Sequence, residues 1–311
     1  MADKEMRAVY TDTLLELAAS DDRIMVVEAD LMRATGTGPF KEKYPERFVD
    51  VGVAEANMVG VSAGLSAAGK IPFAATFGCF ASRRVFDQFF LSCAYARLNV
   101  KLVGTDPGVS AAFNGGTHMP FEDIALMRAV PDIVVCEPSD PVSLAACVKL
   151  LAAHPKSAYL RLHRKAVAPL YATDERFELG KGKVLREGSD ALIIALGAIM
   201  VPEALKAAEA LKAEGIDCCV IDPVWVKPLD GDLILSRAAK VRAVVTAENH
   251  QNSNGLGSAV AELLCEHHPM RLERVGVRGE FGEVGTQAWL QKRFGLDAES
   301  IAVAVKKALA G

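Results

Sequence analysis

Two series of short, mainly apolar runs, each followed by a stretch with helical composition, organise the chain. In the first series residues 24–27, 48–51, 100–104, 133–136 and 159–162 lack apolar/polar alternation, as expected of parallel strands buried on both faces. Residues 6–19, 54–68, 84–95, 122–128 and 141–152 read as the intervening helices, punctuated by Asp21, Gly69 and Pro131. A second series has strands at 191–196, 217–221, 243–246 and 271–275, with helices at 202–214, 258–266 and 298–310. Pro202 suits a first helical turn and Gly215 the end of that helix. Alternating β and α elements predict a doubly wound sheet in each unit, an α/β fold with mainly parallel strands. The pattern lapses into a charged, glycine-containing segment between the series. The domains are therefore expected at 1–168 and 188–311, with a linker at 169–187.

Composition adds exclusions. The chain has 311 residues and a formal net charge of −4, with acidic and basic residues interleaved, so neither nucleic acid nor a lipid surface is expected as a partner. The longest uncharged apolar run, 191–201, is about half a membrane span. The charged start, MADKEMR, argues against a signal peptide and for a cytoplasmic protein. Seven cysteines without metal-ligand spacing read as buried, reduced thiols. No metal site is expected. His163, His250, His267 and His268 read as surface or interface groups, and GLGSAV at 255–260 as a tightly packed helix start.

The chemistry concentrates in the first unit. Glu55, in DVGVAEANMVGVSAGLSAAGKIPF (50–73), sits where a strand gives way to a helix of small residues. A first-turn carboxylate is stabilised by the helix dipole whatever else it does. Turned inward among Val51, Val53, Met58 and Val59, it would also have a raised pKa and could act as a general acid/base. In AATFGCFASRRVFDQFF (74–90), Phe77 and Phe80 occupy a loop after a buried strand, either as core or as a stacking surface for a flat heteroaromatic ligand. A glycine-rich loop, TDPGVSAAFNGGTHMPFED (105–123), carries His118, a residue suited to proton transfer.

These segments, together with RLNVKLVG, EDIALMRAVPDIVV, YLRLHR and TAENHQNSNGLGSAVAELL, resemble the C-terminal half of transketolase in the split form, where two chains make the enzyme. The resemblance runs from Arg7 to the last helix. It implies a pyrimidine-binding domain followed by a transketolase C-terminal domain. It further implies transfer of a two-carbon ketol group from a phosphorylated or otherwise anionic ketose to an aldehyde, through a thiamine diphosphate carbanion. The aminopyrimidine would be held here, with the diphosphate and Mg held by an N-terminal partner subunit; the G-D-G followed by Asn that the family uses for them is missing, since DGD at 230–232 has neither the order nor the later Asn.

By the resemblance, Glu55 would share a proton with the pyrimidine ring nitrogen, Phe77 and Phe80 would line the ring, and Asp30 would lie near the cofactor at the subunit interface. His118 would contact donor hydroxyls and act with Glu55 as a catalytic residue, while Arg7 and Arg164 would bind the sugar's anionic group. Three positions depart from ordinary transketolases: Asp106 replaces a histidine, Asn114 an aspartate that recognises a donor hydroxyl, and Ala34 a phosphate-contacting serine. These changes favour an uncommon or modified sugar as substrate. Arg161 fits either a phosphate ligand or a salt-bridge partner. The segment 248–257 is expected to touch a neighbouring chain in a two-fold assembly, a heterotetramer with two copies of each subunit. Two other readings share the fold: a 2-oxo acid decarboxylating or deoxyxylulose-phosphate-synthase-like subunit, and a non-catalytic scaffold.

Overall fold

The computed structural model describes residues 4–310. Strands β1 (Ile24–Glu28), β2 (Phe48–Asp50), β3 (Ile71–Phe77), β4 (Lys101–Thr105), β5 (Val134–Cys136) and β6 (Ala158–Leu162) lie parallel in the order β5-β6-β4-β3-β1-β2. β7 (Lys183–Arg186), β8 (Ala191–Ala195), β9 (Cys218–Asp222), β11 (Ala243–Gln251) and β12 (Leu272–Val277) form the second sheet, in the order β12-β11-β8-β9-β7 with β7 antiparallel. The remaining strand, β10 (Trp225–Lys227), belongs in sequence to the second unit. It nevertheless pairs antiparallel with β5, completing a seven-stranded first sheet.

The central strands are mainly apolar because both faces are covered, and β1, β4, β6, β8 and β9 are buried along their whole length. Asp140 starts the helix Pro141–Ala153 with a capping box: its carboxylate accepts from Ser143 N at 2.7 Å. The other oxygen of Asp140 accepts from Leu170 N and Tyr171 N, and Tyr171 in turn donates to Asp222 at the end of β9. Polar links therefore tie the helix start at Asp140 and the end of β9 to the connecting segment.

Several expectations need correction. The helix expected at 202–214 is Gly197–Ala213, with Pro202 inside it; its first turn, GAIMV, is buried on all sides and so reads as a continued strand. Gly215 does end it, at φ +83°. The segment 84–95 is broken into π-helical turns, Phe80–Arg84 and Phe89–Tyr95, around a short helix, Phe86–Gln88. β7 lies within the segment read as a linker, and β10 and the helices Gly231–Ala238 and Gln287–Phe294 had not been expected. His163 and His250 are buried rather than superficial, and burial pushes both well below the ordinary histidine value, to about 4, so both are neutral. All seven cysteines are free thiols, but Cys265 is exposed. No helix among the described residues is long and apolar enough to cross a membrane.

Candidate active site

The carboxyl ends of four adjacent strands converge on one edge of the first sheet, where open α/β sheets place their ligands. Phe77 closes β3, Asp106 follows β4, Arg164 follows β6 and Asp30 follows β1. Register holds them level, since Phe77 pairs with Thr105 and Thr105 with Leu162. Phe77 thus stands on a strand end, not in the loop where the sequence had suggested it.

Glu55 opens the helix Glu55–Ala67 and is only 5% exposed. Its neighbours are not solely apolar: Arg84 Nη1 donates to Glu55 Oε1 at 2.9 Å, and Val53 is exposed. Arg84 also lies over the Phe80 ring, 3.9 Å from its centroid, a cation–π contact. From Phe80 the cluster continues to His118, whose ring stands edge-on to Phe80 at 5.2 Å and to Phe77 at 6.0 Å. The two phenyl rings are 6.0 Å apart and half-buried. His118 Nδ1 is 2.9 Å from Thr117 Oγ1. Arg83 steadies this turn by donating to the Thr117 carbonyl and pairing with Glu122.

A second cluster adjoins the first through Arg164, whose guanidinium lies 5.8 Å from the Phe77 ring and 3.0 Å from Asp106 Oδ1. Asp106 is almost fully buried, and burial pushes its carboxyl up while Arg164 and Thr105 pull it down. Arg7 N donates to the Arg164 carbonyl, so the two arginines lie side by side. The Arg7 guanidinium meets Glu5 and the carbonyls of Arg33 and Ala34. Gly36, at φ +83°, packs against its aliphatic stem.

The structure therefore joins Glu55, Phe80, His118, Phe77, Arg164, Asp106 and Arg7 into one strip. Asp30, its amide held by Asp50, flanks the strip at the β1 end, and Asn114 stands on the exposed outer turn of the glycine-rich loop. Arg84 was missed, although its spacing from Phe80 places both on one helical face. Arg161 proves to be a salt-bridge partner: fully buried, it pairs with Asp123 at 2.8 Å and Glu137 at 2.9 Å and donates to the carbonyls of Pro120 and Asn249. Burial pushes Glu137 up to about 7 against the pull of Arg161. Glu248, Asn249 and His250, expected at a contact with another chain, are instead buried within this one. Glu248 accepts from the amides of Leu256 and Gly257 at the start of the helix Leu256–His267, which is the tight packing expected of GLGSAV. Among the described residues no cluster of three or more His, Cys, Asp or Glu side chains is placed to hold a metal ion.

The aminopyrimidine of thiamine diphosphate fits this strip as one wall of a site. A nearly buried carboxylate can hold one ring nitrogen, while half-buried rings can stack against its face. The transketolase pyrimidine-binding domain matches residues 2–169, and the transketolase C-terminal domain matches residues 180–301. A 6-deoxy-6-sulfo-D-fructose transketolase subunit of Clostridium sp. (strain MSTE9) is 51% identical over 95% of this chain and 92% of its own length. An apulose-4-phosphate transketolase subunit of Phocaeicola vulgatus is 36% identical over 95% of this chain and 94% of its own length. A solved split-gene transketolase, described as an inactive beta4 tetramer, superposes with a TM-score of 0.92 and 44% identity over 98% of both chains. The chain belongs to the transketolase family, as the subunit of a split, thiamine-diphosphate-dependent ketol transferase that carries the pyrimidine-binding and C-terminal domains.

Proposed function

We propose that this chain supplies the aminopyrimidine wall of a thiamine diphosphate site completed by an N-terminal partner subunit, and that the donor is a modified ketose with a singly charged anionic end. The observation that carries the reading is the strip running from Glu55 to Arg7, half-open along its rings. When bound, the cofactor supplies the chemistry for breaking and making a carbon–carbon bond beside a carbonyl. Glu55 holds a proton at the pyrimidine ring nitrogen, with Arg84 fixing the carboxylate's orientation. Phe77 and Phe80 stack on the ring and keep water from the reacting carbon. His118, its Nδ1 engaged by Thr117, contacts the donor hydroxyls. Asp30 flanks the cofactor near the subunit boundary, and Asn114 reaches the donor from the loop. The partner holds the diphosphate and Mg, the assembly is a heterotetramer and the location cytoplasmic, in keeping with the free thiols. The functional division falls after about residue 168 and before β7, which belongs to the second unit.

The donor's anionic end meets Arg164 and Arg7. Part of the charge on Arg164 is neutralised by Asp106, and part of that on Arg7 by Glu5. Such a site suits a monoanion better than a dianionic phosphate. The sulfonated sugar named for the Clostridium relative is a ligand of that class.

Calorimetry of thiamine diphosphate in Mg-containing buffer tests the shared site. Binding is expected only when chain and partner are together, and no binding to the pair would overturn the proposal. With the active pair, equal turnover of xylulose 5-phosphate plus ribose 5-phosphate would sink the monoanion assignment. Release of carbon dioxide from pyruvate would point to 2-oxo acid decarboxylation instead.

A further inference from the structure

The glycine-rich loop that carries Asp106, Asn114 and His118 is gripped from behind by the C-terminal domain. Asn249, on β11 and 1% exposed, accepts from Val109 N at 3.0 Å through Oδ1 and donates from Nδ2 to the Pro107 carbonyl at 2.8 Å. Between those two residues Gly108 adopts φ +50°, and a Cβ there would fall 2.1 Å from Asn249 Oδ1. Glycine is required both by the backbone angle and by the close approach of the amide. The backbone of Asn249 is fixed in turn, because its carbonyl accepts from Arg161 Nη2 at 2.9 Å. Arg161 reaches the far end of the same loop through the Pro120 carbonyl. Farther along, the Gly116 backbone packs on Gly282 so closely that a Cβ on Gly116 would lie 2.0 Å from the Gly282 carbonyl oxygen.

The grip bears on residues with unusual backbone. Asp106 has φ +58° and Ala112 φ +48°, sparsely populated conformations for residues with a side chain that persist only where the surroundings impose them. Among the described residues Asn249 makes its side-chain hydrogen bonds to Pro107 and Val109, and none to Glu55 or Arg84. The grip therefore acts on the substrate side of the strip and not on the cofactor side.

We propose that Asn249 is a positioning residue: by clamping Pro107 and Val109 it sets the loop geometry that presents Asp106, Asn114 and His118 to the donor, which makes the C-terminal domain a determinant of substrate binding. The proposal rests on the ketol-transfer reading for its kinetic arm only. In the complex with the partner subunit, Asn249→Ala is expected to raise the donor KM and lower kcat/KM by roughly 10- to 100-fold, the scale of a small misplacement of contact groups. Thiamine diphosphate affinity should be unchanged. Gly108→Ala, which displaces the Asn249 side-chain amide without deleting it, should give the same split between donor and cofactor. Hydrogen exchange is the readout independent of activity: in Asn249→Ala the amides of 105–118 should exchange faster, with Val109 most affected and 55–67 unaffected. Unaltered exchange in 105–118 would overturn the proposal, as would a loss of cofactor affinity equal to the rise in donor KM, the mark of a general structural role. An inactive wild-type complex would defeat the ketol-transfer reading, and the exchange experiment would then decide the clamp alone.

Discussion

Replacing Glu55 by Gln separates chemistry from stability more sharply than any other single change. Gln keeps the size of the side chain and an oxygen that can still accept from Arg84, but it cannot hold or return a proton. The lost ion pair is worth little, because the Arg84 side chain is 50% exposed and its charge is screened. Pairs of that kind contribute about 0–1 kcal/mol. The cation–π contact of Arg84 with Phe80 survives the substitution. Folding stability should therefore change by less than about 1 kcal/mol. Activity should fall by roughly 10²- to 10⁴-fold, the usual contribution of a positioned acid/base, which raises the barrier by about 3–5 kcal/mol. The assay is ketol transfer by the complex with the partner subunit at saturating cofactor, alongside thermal melts of wild type and variant. Activity within about fivefold of wild type would remove Glu55 from the mechanism. A loss accompanied by a large drop in melting temperature would mean that the carboxylate holds the fold rather than a proton.

Three further outcomes are expected. Arg161→Leu strands Asp123 and Glu137 in the interior without their cation, and denaturant melts should register a loss of about 3–5 kcal/mol; a loss below about 1 kcal/mol would show that the pair is not needed. Burial pushes Glu28 up to about 8, even though Thr35 and Thr37 donate to it. With its folded pKa above the unfolded value, its contribution is complete below about pH 4.5 and lost as pH rises through about 8, so Glu28→Gln should flatten the decline in stability across that window. A variant as pH-sensitive as wild type would contradict this. Asp106→Asn releases Arg164 from its carboxylate and should lower the KM of a phosphorylated donor by roughly tenfold relative to a sulfonated one; an unchanged ratio would refute the charge argument.

What the sequence disclosed, and what it withheld, follows from where each signal lies. β1, β4 and β6 were legible because five-residue strands buried on both faces leave short, mainly apolar runs without alternation, broken only by single buried groups such as Lys101 and Arg161. β11 was cut short at 246 because its last stretch, AENHQ, is polar, whereas in the structure those groups are buried and satisfied by Arg161, the 105–123 loop and the start of a helix. The same misreading turned Glu248 to His250 into a contact surface. β10 is three residues long, and its partner lies some ninety positions earlier, so no local pattern announces it. Among the site residues, Glu55 at a helix start and Phe77, Phe80 and His118 after buried strands stood out by position, whereas Asp30, Asp106, Asn114, Arg7 and Arg164 were named only by the family resemblance. Asn249 stood out by neither route, since its meaning depends on a glycine about 140 residues away.

Trp225 on β10 is fully buried, and β10 covers the edge of β5 that would otherwise be bare. The boundary that looks natural in sequence is thus not a seam in the fold. A fragment stopping anywhere before residue 225 would expose unpaired amides and carbonyls along β5 and lose the tryptophan that packs there, leaving a template for association with other chains. The enzyme can be divided between its two subunits, but this subunit cannot be divided again. In engineering terms its two units are a single part, to be exchanged or transplanted only together.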